Sequence, residues 1–302
     1  MNKETNKPDF FIVGAPKSGT TALDYHLNLH PEIFMAKKEI HYFGSDIGIT
    51  QEKLSEKEYL YSFNDSESSQ IKGESSVWYL YSKNAAEEIK AFNPKSKIII
   101  LLRNPVEMIP SLHSQYIYNS IESEENLTIA LNNDIKRTDN NEILSCSHFK
   151  ERPPYINTVK YFNQVQRYLD TFSKENVLIL LHEELTNDFD LAYKKTLIFL
   201  GIIKTDFSPT TEQVNSRKSI KSIKLHQISK NPSTKLKRFI QFIIPFKIIR
   251  HNLMKNIDII NIREKEITTI PKELKEKIIK LTFNDVGNLA QLIKKDLSSW
   301  LR

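Results

Sequence analysis

Four side chains suited to holding an anion, Lys17, Ser18, Thr20 and Thr21, fall within or just after a loop that Gly14 opens and that contains Gly19. Before the loop stands Phe10-Phe11-Ile12-Val13, an apolar run long enough for one buried strand. After it, Thr20, Ala22, Leu23, His26, Leu27 and Leu29 follow a helical pattern that His30-Pro31 stops. A strand, a glycine loop and a helix N-terminus make an anion cradle, because loop amides and first-turn N–H groups converge and the helix dipole favours negative charge there. Lys17 adds a full positive charge. The chain has 7 glycines, and two of them lie in this loop, so the backbone freedom they confer is concentrated where the cradle needs it.

The spacing is not that of a nucleotide-binding Walker A loop, G-x-x-x-x-G-K-[ST], because here the lysine precedes Ser-Gly. Two further groups of residues could do chemistry. If the stretch 37–43 is extended, Glu39, His41 and Phe43 project to one side, and a carboxylate beside an imidazole can share a proton. Ile98-Ile99-Ile100-Leu101-Leu102 reads as a buried parallel strand, ended by Arg103, turned by Asn104-Pro105 and followed by a helix bearing Ser111. A basic residue at the carboxyl end of such a strand sits where open α/β sheets bind ligands, and arginine forks naturally onto phosphate.

Gly14-Ala15-Pro16-Lys17-Ser18-Gly19-Thr20-Thr21 resembles the 5′-phosphosulfate loop of sulfotransferases that use 3′-phosphoadenosine 5′-phosphosulfate (PAPS). The resemblance implies that these residues bind the donor and that Lys17 contacts its bridging oxygen. Glu39-Ile40-His41-Tyr42-Phe43 is similar to the Glu-x-His-Phe-Phe segment of the heparan sulfate type, which implies Glu39 as catalytic base and His41 as its orienter or as the alternative base. Gly44 stands where that family often has an acid, and the nearest acid is Asp46. Arg103 and Ser111, with Asn104-Pro105, match the family's 3′-phosphate motif, although Met108 stands where arginine is frequent. Gly73-Glu74-Ser75-Ser76 leading to Tyr79-Leu80 resembles a family segment near nucleotide and acceptor; Trp78 or Tyr79 packs on the adenine, lines the acceptor cleft or belongs to the core. Arg217-Lys218-Ser219 resembles a basic phrase that closes over the 3′-phosphate in cytosolic members, with Ser219 where glycine is usual. Phe199-Leu200-Gly201 and the closing residues 297–301 also match family phrases.

The elements needed to position these groups are legible in outline. Helical patterns cover 51–63, 85–92 behind a Ser82 cap, 127–131, 155–172, 190–200 with Gly201 as C-cap, and much of 273–301. Residues 176–181 read as another buried strand, and 132–154 as a long acceptor-side loop. The expected fold class is α/β: a three-layer α/β/α sandwich with a central parallel sheet and a P-loop-like phosphosulfate-binding loop. One domain is expected over 1–302, with 217–250 as a basic lid or acceptor-side segment and 271–302 as C-terminal helices.

Composition bounds the partners. The single cysteine, Cys146, excludes an internal disulfide and suits a reducing compartment. The polar start and the short apolar run after it do not form a signal segment, so a cytoplasmic protein is expected. Net charge is +6, which suits an anionic ligand or surface but is too mild to argue for nucleic acid, and no zinc-finger or RNA-binding spacing is present. Residues 217–250 hold ten Lys/Arg and no Asp or Glu. Within them, 236–244 mixes bases with large apolar groups, as in a helix covering an active site or, alternatively, a segment 235–250 in peripheral contact with the inner membrane face.

The function implied is transfer of a sulfuryl group from PAPS to a hydroxyl of a saccharide or glycolipid acceptor, leaving 3′-phosphoadenosine 5′-phosphate (PAP). A sulfuryl group carries less charge than a phosphoryl group, so no metal is expected to be required. An ATP-dependent kinase and an anionic-glycan or membrane-surface binding module are the alternatives.

Overall fold

The two apolar runs that flank the chemistry become neighbouring central strands, β1 (Phe10–Gly14) and β4 (Lys97–Leu102). In the computed structural model, which describes residues 6–49, 53–146, 148–202, 218–220, 262–264 and 270–302, they belong to a five-stranded sheet. The other strands are β2 (Ile33–Met35), β3 (Ile71–Ser75) and β5 (Val177–Leu181); the order is β2-β3-β1-β4-β5 and every pairing is parallel.

These strands are apolar at successive positions because both faces are covered. Phe11, Val13, Ile98, Ile100 and Leu102 enter one core cluster, with α3 (Ala85–Phe92), α4 (Pro105–Tyr118), α7 (Phe162–Thr171) and α10 (Lys272–Ile293). Phe10, Ile12, Ile99 and Leu101 enter the other, with α1 (Thr20–Asn28) and α9 (Phe189–Leu200). The three-layer α/β/α architecture follows directly. From β1 the chain builds β2 and β3 on one side, then crosses to β4 and β5 on the other. The loop after β1 therefore opens at the point where strand order reverses, where sheets of this kind bind ligands.

Several elements differ from the expected ones, for reasons of tertiary structure. The helix expected over 51–63 is α2 (Glu56–Tyr61), started by a reciprocal Ser55–Glu58 capping box, while 50–52 lie outside the described residues. Ser82 does serve the start of α3, its Oγ accepting from the Ala85 amide at 2.9 Å. The helix at 127 continues as α5 (Leu127–Asp139). The single helix expected over 155–172 is broken into α6 (Tyr155–Val159) and α7. The Gln164 amide donates to the carbonyls of Asn157, Thr158 and Lys160 that the break exposes, and Asp285 of α10 accepts from the Phe162 amide at 3.3 Å. Partners from elsewhere satisfy both new helix ends. A short helix, α8 (His182–Asn187), follows β5 directly.

Strands β6 (Lys218–Ile220) and β7 (Ile262–Glu264) form an antiparallel ribbon, with β6 beside α4. Arg217 and the basic stretch 221–250, including the segment considered for membrane contact, lie outside the described residues.

Candidate active site at the carboxyl edge of the sheet

The loop 14–19 turns where its sequence allows it to. Gly14 has φ +147°, and a Cβ there would meet the Val77 carbonyl at 2.6 Å. Gly19 begins α1 in the left-handed region at φ 96°, with no side chain capping the helix. Asn104, Asn126 and Asp188 cap α4, α5 and α9, while α6, α7 and α10 also start without a side-chain cap; what α1 adds is the glycine-lysine loop before it. The uncapped first turn of α1 and the preceding loop thus suit a bound anion. Ser18 is fully buried, and its hydroxyl turns back to the Pro16 carbonyl at 3.4 Å. Thr20 is buried and Thr21 exposed.

Lys17 adopts φ 61° and is held at two points: its ammonium donates to Gln115 Oε1 on α4 at 3.1 Å, and its carbonyl accepts from Arg103 Nη1 at 3.0 Å. Arg103 is buried at the end of β4 and also donates through Nε and Nη2 to Glu107 Oε2, at 3.2 and 3.0 Å. An anion bound by Arg103 would compete with Glu107, whose side chain is half exposed. Ser111 lies two helical turns beyond Arg103, half-buried on α4. The backbone of Lys218 lies in the ribbon beside the same helix. The structure therefore brings together the loop, Arg103 and the helix of Ser111, while Arg217 is outside the described residues.

The stretch 37–43 is not extended, which corrects the alternation expected from sequence. Glu39 and His41 take positive φ values of 63° and 53°. Such values are uncommon for non-glycine residues and persist only where surroundings enforce them. Here the Glu39 amide donates to the Ser75 carbonyl at 2.8 Å, the His41 amide to Ser76 Oγ at 3.1 Å, and the Phe43 amide to the Tyr79 hydroxyl at 3.2 Å. Glu39 and His41 nonetheless meet, with Nε2 to Oε2 at 2.9 Å. Phe43 parts from them and enters an aromatic cluster with Phe11, Tyr59 and Tyr79.

Because the backbone turns at Glu39, the adjacent Lys38 also reaches the site. Its ammonium lies 2.7 Å from Glu39 Oε1 and 3.4 Å from Thr20 Oγ1, so a single cation links the carboxylate to the first turn of α1. Glu39 Oε2 also accepts from the Val77 amide at 3.2 Å. Burial alone would raise the Glu39 carboxyl, but the His41 hydrogen bond and the Lys38 charge outweigh it and hold the group at about 2. Nothing in an extended reading of this stretch would have placed Lys38 with Glu39. Gln115 and His182, whose Nδ1 lies 3.3 Å from the Ser18 carbonyl, were equally invisible, since neither stands in a motif.

Asp24, on α1, is a second carboxyl near Lys38 and Glu39. Burial pushes it up to about 6, the Lys38 charge opposing this and Glu39 adding to it, and its Oδ1 is buried without a hydrogen-bond partner. With the folded value above the unfolded one, the folded state binds the extra proton. Stability is full below about 3.8 and falls as pH rises through about 6. Asp24→Asn is therefore expected to raise stability at pH 7.5 by about 1–3 kcal/mol, with no gain at pH 3.5. Urea denaturation at the two pH values measures this; an equal effect at both would show that its charge is immaterial.

Trp78 and Tyr79 are both buried: Trp78 stacks on Tyr116 and meets Phe149 edge-on, and the Tyr79 hydroxyl donates to Glu74. They are core aromatics, not surfaces for an adenine. Asp46 accepts from the Ser82 hydroxyl and from the Lys83 amide at 2.8 Å, which makes it a helix-start residue. Among the described residues no group of three or more His, Cys, Asp or Glu is arranged to hold a metal ion, and no helix is long and apolar enough to cross a membrane.

A doubly covered parallel sheet with an uncapped helix, a lysine loop and an arginine at its switch point defines an α/β protein whose sheet edge suits a phosphate-like group. Residues 7–252 match the family described as "Sulfotransferase domain", and the chain belongs to that family. A sulfotransferase structure from Alicyclobacillus acidocaldarius superposes with a TM-score of 0.71 at 26% identity, covering 98% of this chain and 99% of that one. A membrane-associated sulfotransferase of Dictyostelium discoideum is 37% identical over 101 residues, 33% of this chain and 21% of that protein. Mouse carbohydrate sulfotransferase 15 is 27% identical over 249 residues, 65% of this chain and 44% of the relative. The chain thus spans less than half the length of these two curated relatives.

Proposed function

We propose that this chain transfers a sulfuryl group from PAPS to a hydroxyl of a carbohydrate or glycolipid acceptor, using 1–302 as one catalytic domain. The observation that carries the reading is the bridge by Lys38 from Thr20, on the donor side, to Glu39, paired with His41. An anion cradle and a base lie within one side chain's reach, as an in-line displacement requires. The saccharide acceptor is supported by the likeness to a relative named as a carbohydrate sulfotransferase and by the Glu39–His41 segment.

The residues present fit the donor. The loop 14–19 and the first turn of α1 suit the 5′-phosphosulfate, and Arg103 with Ser111 suits the 3′-phosphate, with Arg217 and Lys218 assigned to the same phosphate by their sequence phrase. The donor supplies an activated sulfuryl group. Lys17 and the loop amides stabilise negative charge that builds on the leaving oxygen. Glu39 takes the acceptor's proton, and His41 fixes the carboxylate's orientation through Nε2. Lys38 neutralises charge between the two halves of the site.

Calorimetric titration with PAP in EDTA, beside ATP with Mg²⁺, tests the reading. Metal-free binding of PAP is expected, weakened about 10- to 100-fold in Arg103→Ala through loss of charge-assisted hydrogen bonds. Preference for ATP with Mg²⁺ and indifference to the 3′-phosphate would instead establish a kinase.

A further inference from the structure

Beneath the Glu39–His41 pair lies a carboxylate that the reaction itself does not use. Glu74, near the end of β3, is fully buried. It accepts three hydrogen bonds, all from hydroxyls: Tyr59 at 2.5 Å, Tyr79 at 2.7 Å and Ser76 at 2.8 Å. Burial raises its carboxyl, and these three donors oppose the rise. A buried acid held by hydroxyls alone is a costly core residue unless those hydroxyls have further work.

Two of them do. Ser76 Oγ, whose proton goes to Glu74, accepts the amide of His41 at 3.1 Å, and the Tyr79 hydroxyl, likewise oriented, accepts the amide of Phe43 at 3.2 Å. A hydroxyl that donates to a carboxylate has its lone pairs turned toward the opposite side. Glu74 thereby fixes the direction in which both hydroxyls can accept. The backbone they receive is the segment in which Glu39 and His41 hold positive φ. Tyr59 differs: its hydroxyl binds Glu74, and its ring stacks on Tyr42 at 4.1 Å.

We propose that Glu74 is a positioning residue for sulfuryl transfer: through Ser76 and Tyr79 it sets the two struts that hold the Glu39–His41 segment against the donor loop. This rests on the donor-dependent reading above. Glu74 touches neither donor nor acceptor; it acts on the base through the backbone.

The test uses the whole chain, with Glu74→Met, which keeps the side chain's length but removes the oxygen that both hydroxyls donate to, and Ser76→Ala and Tyr79→Phe as single-strut variants. Two readouts need no knowledge of the acceptor. One is hydrogen exchange at the His41 and Phe43 amides, followed by NMR. The other is slow hydrolysis of ³⁵S-labelled PAPS, in which water replaces the acceptor: its oxygen bonds to sulfur, the bond from sulfur to PAP's phosphate oxygen breaks with its electron pair staying on PAP, and sulfate is released while water's two protons pass to PAP or to solvent. Glu74→Met is expected to speed exchange at both amides and to slow hydrolysis, each by about tenfold or more, while PAP affinity stays within about twofold. Ser76→Ala should act mainly at His41 and Tyr79→Phe at Phe43, whereas Tyr59→Phe, which keeps its ring, should move neither amide. Wild-type exchange and hydrolysis in all three variants would overturn the proposal. So would faster exchange spread equally over the amides of β1, which would make Glu74 an ordinary core residue. If the wild type neither binds PAP nor hydrolyses PAPS, the donor reading fails, while the exchange pattern still decides whether the struts exist.

Discussion

Lys17→Ala is expected to slow sulfuryl transfer by about a hundred- to a thousandfold, the loss typical of removing one preorganised donor from a developing oxyanion. Lys17 is preorganised in two ways. Its backbone is held in the left-handed region with its carbonyl tied to Arg103, and its ammonium is parked on Gln115, 3.1 Å away. Gln115 is neutral, so an incoming phosphosulfate offers the ammonium a stronger partner than the one it leaves. Single-turnover consumption of labelled PAPS measures the effect, and PAP titration measures how much of it is ground-state binding. A loss confined to affinity, with the bound-state rate unchanged, would remove Lys17 from the chemistry and leave it as an anchor.

Glu39→Gln is expected to cost about 10²- to 10⁴-fold in turnover, the range attributable to a positioned base, with PAP affinity held within about twofold. The amide keeps its size and can still meet His41 and Lys38, but it cannot take a proton. Because neighbours hold the wild-type carboxyl at about 2, it is ionised throughout the neutral range. Any activity loss that depends on Glu39 protonation therefore sets in only as pH falls far below neutral. Such a low value also makes a weak base, so Glu39 gains strength if Lys38 shifts toward a bound donor through its contact with Thr20. Rate against pH for the wild type and for His41→Asn separates the two candidates. A greater loss in His41→Asn than in Glu39→Gln would transfer the base role to the imidazole.

What could be read from sequence was whatever local pattern decides. The strand at 98–102 is β-branched and apolar throughout, and its neighbours in space did not need to be known. The loop 14–19 was legible because glycine, lysine and hydroxyl residues coincide directly after a strand, and Gly201 because a helix ends there at φ 90°. The conformation of 37–43 was not legible. Its positive φ angles are imposed by Ser75, Ser76 and Tyr79, more than thirty residues away, and no residue type within the stretch announces them. That hidden turn explains why Lys38 was missed and Phe43 misplaced. The break between α6 and α7 was hidden for the same reason, since Asp285 lies 123 residues from the amide it binds. The loop 14–19 and Arg103 are joined at the carboxyl edge of the sheet and Glu39 is paired with His41, but these arrangements depend on long-range hydrogen bonds and contacts.

The close seating of Gly14 against Val77, with the Leu80 amide bonded to the Val13 carbonyl at 2.7 Å, joins the loop 14–19 to the stretch that supports Glu39 through backbone alone. Two cradles cast in one piece have a fixed gauge. A tethered compound joining an adenosine 3′,5′-bisphosphate to an acceptor mimic should accordingly have one optimal linker length, with affinity falling on both sides of it.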